Sequence, residues 1–98
     1  MNQFMIDITL PELLTEEFIS LIPQQRAQVN KLFSEGKLSS YALALDRSKL
    51  WVSMLAETDE EVVFIVSTFP LRKFMEINIH RLAFVESANA NIARISMN

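Results

Sequence analysis

Strand-forming segments that carry apolar side chains on both faces constrain this chain more than any other feature it has. In one such segment Tyr41, Leu43 and Leu45 alternate with Leu38, Ala42 and Ala44. In the next, Trp51 and Leu55 oppose Leu50, Val52 and Met54, and in the last Ile77, Ile79 and Ala83 oppose Leu82 and Phe84. Side chains alternate across a strand, so a sheet with one wet face should place polar residues at every second position. Here both faces ask for a cover. The 98 residues make one domain, and a domain that small hides only about 60–65% of its unfolded surface. Half of the residues are hydrophobic, more than one small core can absorb. A membrane segment is excluded as the sink, because the longest aliphatic or aromatic runs, Tyr41 to Leu45 and Val62 to Val66, fall far short of the ~20 residues a span requires. A subunit interface is the reading that remains, so the chain is expected to form a homodimer or a larger assembly.

Local signals order the elements. Phe4, Ile6 and Ile8 alternate with Met5, Asp7 and Thr9, a first strand ending near Leu10-Pro11. Thr15 has the character of an N-cap, with Glu16 and Glu17 complementing the helix dipole. Phe18, Ile22, Gln25, Val29 and Leu32 then recur at helical spacing up to a stop at Gly36, with Pro23 inside as the expected site of a kink. Residues 38–45 and 50–56 read as a hairpin closed by Asp46-Arg47-Ser48-Lys49. Thr58-Asp59-Glu60-Glu61 is a capping box opening a second helix that runs to Phe69, with Val62, Ile65, Val66 and Phe69 inward and Phe64 turned away. Residues 77–84 form the last strand. The domain is expected to occupy residues 1–85, leaving 86–98 as a tail that is helical or packs on a partner subunit. The order β-α-β-β-α-β is that of an α+β, ferredoxin-like fold with a four-stranded antiparallel sheet.

Composition excludes much chemistry. The chain has no cysteine, which rules out disulfides and thiolate sites and fits a cytoplasmic location. A positively charged start followed by a long apolar run is not visible either, which points the same way. His80 is the single histidine and Gly36 the single glycine, so no metal site is expected and phosphate-cradling glycine loops are absent. The acids from Glu57 to Glu61 read as helix capping. Net charge is −3 with scattered basic residues, which rejects nucleic acid as a partner.

The segment Phe69-Pro70-Leu71-Arg72-Lys73-Phe74-Met75-Glu76-Ile77 resembles the muconolactone isomerase family, in which a helix ends in Leu-Pro-Leu before two variable residues, an aromatic, Met, an acid and Ile. Leu32 to Gly36 is similar to the end of that family's first helix, and the resemblance spans roughly residues 3–84. It implies a dimeric α/β barrel in which two sheets face each other, and a small-molecule pocket between the first helix and the sheet. The implied reaction moves a ring double bond in an unsaturated lactone that bears a carboxylate. That chemistry needs a base, a group to hold the developing dienolate, and no metal or organic cofactor. The family's base is expected in an acidic cluster on the first helix, but the matching stretch here is Gln24-Gln25-Arg26, and Arg47 stands where the family hairpin has a histidine. An amide is not a useful base.

Each candidate residue has two readings. Gln25 is a pocket residue or a core-edge amide bonded to backbone. Arg26 reaches an anionic ligand or stays solvated, and Arg47 closes over the pocket or is an exposed turn residue. Tyr41 and Trp51, read as sharing the apolar face of the hairpin, line the pocket or simply pack. Asp7, mid-strand, is a replacement base if buried, or else faces water or pairs with a basic residue. His80, on a strand that should neighbour the first, is a proton carrier or a structural contact. Taken with the resemblance, which implies a small, anionic ring compound as ligand, Gln25, Arg26, Tyr41, Trp51 and Arg47 are the residues expected to hold it, with Asp7 and His80 as the available proton carriers. The other possibility is an assembly module whose apolar faces serve only oligomerisation.

Overall fold

A computed structural model describes residues 1–88, which form β1 (Asn2–Thr9), α1 (Glu16–Ser34), β2 (Leu38–Leu43), β3 (Lys49–Ala56), α2 (Asp59–Ser67), a short 3-10 turn (Arg72–Phe74) and β4 (Glu76–Arg81). The strands make one antiparallel sheet in the order β2-β3-β1-β4, and the arrangement is the α+β, ferredoxin-like one. Residues 89–98 lie outside the described region, and with them most of the tail.

The helices start and stop where side chains can satisfy their unpaired backbone groups. The Thr15 hydroxyl accepts from the Phe18 N–H at 3.1 Å, and the Thr58 hydroxyl accepts from the Glu61 N–H at 3.1 Å. The Glu61 carboxylate reaches back to accept from the Glu57 N–H. At the other end of α1, Gly36 adopts φ +74°. This lets its N–H bond the Phe33 carbonyl and the Lys37 N–H bond the Leu32 carbonyl, both at 3.0 Å, a Schellman closure. Helix α1 continues through Pro23. Helix α2 ends at Ser67, two residues before the expected Phe69, which is nonetheless buried.

Both helices cover the same face of the sheet. Phe4, Ile6 and Ile8 of β1 and Leu50, Val52, Met54 and Ala56 of β3 form one buried cluster with Phe18 and Leu32 of α1 and Val62, Ile65 and Val66 of α2. Phe64 is exposed, as its position off the α2 stripe required.

The opposite face corrects the sequence reading. Cross-strand partners share a face, and β2 pairs Tyr41 with Val52 and Leu43 with Leu50, so both project toward the helices. A β-bulge between Leu38 and Ser40 shifts the parity, so that Leu38 also turns inward and is buried. Ile77 and Ile79 stand beside Ile8 and Ile6 on that same side. The apolar residues of β2 and β4 are therefore largely spent on one face. The outer face mixes Met5, Ala42, Trp51 and Leu55 with Gln3, Asp7, Thr9, Ser40, Lys49, Ser53, Asn78 and His80. Trp51 and Tyr41 do not share a face: the pairing of Ala42 with Trp51 puts the indole on the outer side. No helix among the described residues is long and apolar enough to cross a membrane.

Candidate functional site

Helix α1, the β2–β3 hairpin and the segment after α2 enclose a cleft of about 360 Å³, a volume suited to a small ring compound. Its walls are apolar: Leu10 and Leu14 before α1, Phe18 and Ile22 on it, Leu43 and Leu50 in the hairpin, and Leu71 and Met75 after α2. The polar groups are Gln25, Arg26, Tyr41 and Arg47, and none of the lining side chains is a carboxylate or an imidazole.

Helical spacing puts Gln25 one turn beyond Ile22 on the inward stripe, where it is only 3% exposed. Its burial is matched by bonds at both ends of the amide. Oε1 accepts from the Leu71 N–H at 3.1 Å, and Nε2 donates to the Tyr41 hydroxyl at 3.2 Å. Leu71 can offer that N–H because Pro70 follows the end of α2 and the chain turns there into the 3-10 segment, placing a free donor opposite α1. Phe74 of the same segment packs edge-on against Phe18, with ring centroids 5.3 Å apart, and Lys73 pairs with Glu17, so the wall is tied to the start of α1.

Tyr41 projects from β2 and is partly buried. Burial pushes its phenol above the usual range, and the Gln25 hydrogen bond offsets this in part. It therefore stands in the cleft as a neutral hydroxyl at ordinary pH. Arg26, the residue after Gln25 on α1, and Arg47, in the hairpin loop, are exposed side chains that also line the cleft. Arg47 takes the left-handed conformation, φ +64°, an unusual one for a non-glycine residue. The loop is held by the Asp46 carboxylate, which accepts from the Ser48 N–H and hydroxyl at 3.0 and 2.7 Å, and by the Arg47 N–H bonding the Ala44 carbonyl at 2.9 Å. Those Ser48 bonds hold the Asp46 carboxyl below its ordinary range.

Of the residues singled out in the sequence, the fold brings Gln25, Arg26, Tyr41 and Arg47 together and leaves three elsewhere. Trp51 is on the outer sheet face, as are Asp7 and His80, which pair with Asn78 and Met5 across the β1–β4 ladder. Asp7 is ion-paired with Lys49 at 3.2 Å, and Lys49 also donates to the Thr9 hydroxyl. The sheet thus separates Asp7 and His80 from the cleft, and within one chain neither reaches its lining. Leu71 was missed as a site residue because its contribution is a backbone N–H; the Pro70-Leu71 pair in the resembling motif was the available signal.

No family model matches the sequence, and no curated protein matches it in sequence comparison. Among solved structures, the fold is similar to that of 5-chloro-2-hydroxyhydroquinone dehydrochlorinase from Burkholderia phenoliruptrix, in a complex with 2,5-dihydroxybenzoquinone. The TM-score is 0.71 over 85% of this chain and 95% of that one, at 17% sequence identity. At that identity the likeness is one of fold.

Proposed function

We propose that this protein binds a small anionic ring compound in the cleft between α1 and the sheet. The observation that carries the proposal is the pairing of an apolar-walled cleft with two guanidinium groups, Arg26 and Arg47, and one neutral phenol, Tyr41, with no acidic side chain in the lining. Apolar walls take the ring, and the cations favour an anionic substituent. The resemblance to muconolactone isomerases and the ring compound held by the dehydrochlorinase of similar fold both support this class of ligand.

Isomerisation is the finer reading, and it lacks a base. With Gln25 in place of a helix-one carboxylate, and Asp7 and His80 across the sheet, the cleft supports binding of the ring rather than proton transfer to and from it. Self-association completes the proposal: two copies pack outer face to outer face through Met5, Ala42, Trp51 and Leu55, the arrangement the resemblance implies.

The test uses calorimetry with 2,5-dihydroxybenzoquinone and muconolactone, alongside a direct assay of lactone isomerisation. Wild type should bind at least one of them without turnover. Arg47→Gly should weaken binding about tenfold by removing a charge-assisted contact, yet leave the melting temperature unchanged or higher, because glycine adopts the left-handed conformation freely. Catalytic turnover by wild type would replace the binding reading with the isomerase one, and absence of binding to either compound would remove both.

A further inference from the structure

The ionisation state of the ligand can be inferred from the bonds behind the cleft, provided the cleft binds ring compounds as proposed. A backbone N–H can only donate, so the Gln25 atom facing Leu71 at 3.1 Å has to be the carbonyl oxygen. That commitment turns the NH2 group toward Tyr41, whose hydroxyl oxygen, 3.2 Å from Nε2, has to accept. A hydroxyl that accepts in this way keeps its own hydrogen, and no protein acceptor takes that hydrogen among the described residues. Tyr41 lines the cleft beside Arg26 and Arg47, so every polar side chain offered there, other than the amide already used, can donate, and only the remaining lone pair of the Tyr41 oxygen can accept.

We infer that Gln25 is a positioning residue that sets the Tyr41 hydroxyl as a donor into the cleft, so that the site selects the ionised form of a ring hydroxyl, a phenolate or enolate, over the neutral acid. A neutral ring hydroxyl would bring a hydrogen to a site whose lining side chains contain no carboxylate or imidazole, so that only the remaining lone pair of the neutral Tyr41 oxygen could receive it. An ionised ring oxygen accepts from Tyr41 and is attracted by both guanidinium groups. The identity of residue 25 sets this polarity. A glutamate there would accept from the Leu71 N–H and from the Tyr41 O–H together, withdrawing the hydroxyl hydrogen from the cleft and adding a negative charge behind it. One atom of difference, amide nitrogen against carboxylate oxygen, inverts what the cleft offers.

The probe is 4-nitrophenol, whose phenolate is coloured, bound to the full chain and titrated by absorbance. In wild type the bound probe should ionise about one unit below the free probe, meaning that phenolate binds about tenfold more tightly than phenol. Tyr41→Phe should remove most of that preference, read as a return of the bound probe's ionisation toward that of the free probe. Gln25→Glu, checked for folding by circular dichroism, should move the ionisation of the bound probe back to or above that of the free probe. Equal or tighter binding of the neutral phenol by wild type, or an undiminished phenolate preference in Tyr41→Phe, would overturn the inference while leaving the ligand-binding reading intact. If neither 4-nitrophenol nor 2,5-dihydroxybenzoquinone binds at any pH, the reading fails and the inference fails with it.

Discussion

Because Tyr41 is the only tyrosine of the chain, its ionisation can be followed by absorbance without assignment. Burial, the larger effect, raises its value above the ordinary 10.0, and the Gln25 bond lowers it in part. The neutral phenol is thus favoured by folding. Its contribution to stability is intact below the unfolded value and is lost as pH rises through the higher folded one. The phenolate absorbance of the native protein should therefore have its midpoint above 10.0, with stability to denaturant declining from the unfolded value upward through that midpoint. In Gln25→Glu the nearby carboxylate should push that titration higher still; a titration at or below 10.0 in folded wild type would mean that Tyr41 is solvated rather than part of the cleft. At this scale the sequence was informative about Gln25, because helical spacing alone places it on the inward stripe. It was uninformative about its partners, since a Leu71 backbone donor leaves no trace in side-chain chemistry. Asp7 and His80 drew notice by residue type, but type does not say which side of a sheet a residue faces; the ladder pairing does.

Element boundaries were legible where a specific side chain or glycine makes them. Thr15, Gly36 and Thr58 each act at the position their chemistry implied. The Gly36 role can be isolated, because a Cβ built there meets nothing within 4 Å and only the φ of +74° resists a side chain. Gly36→Ala should lower stability to urea by about 1 kcal/mol, the cost of holding an L-residue in the left-handed region, and leave ligand affinity unchanged. A loss of several kcal/mol would instead indicate that Gly36 permits a close contact. The hairpin was less legible. The pattern implies a four-residue loop at 46–49, but the loop closes one residue earlier, with the Ala44 N–H bonding the Lys49 carbonyl at 2.9 Å and Lys49 already in β3. Its register places odd residues of β2 opposite even residues of β3, which separates Tyr41 from Trp51. The bulge at Leu38 then reverses that parity for one residue. Period-two patterning cannot anticipate a bulge, because an inserted residue resets the alternation it relies on.

For the whole molecule, an apolar surplus pointed to self-association, and the fold narrows where such an interface could lie. Met5, Ala42, Trp51 and Leu55 occupy the sheet face that neither helix covers, and Trp51 is 40% exposed. If two copies meet there, Trp51 has the character of an interface anchor, and Trp51→Lys should weaken the dimer roughly thirtyfold or more, read by light scattering at micromolar concentration. A wild type that is already monomeric under those conditions would contradict sheet-to-sheet pairing. Ligand binding is a claim about the other side of the same sheet, and the two faces make it testable in one experiment. A crystal structure of the protein with 2,5-dihydroxybenzoquinone should show the ring between α1 and the β2–β3 hairpin, with one of its oxygens within about 3 Å of the Tyr41 hydroxyl. A ring lying on the outer face beside Asp7 and His80, or a cleft left empty at saturating ligand, would contradict the assignment of function to the space under α1.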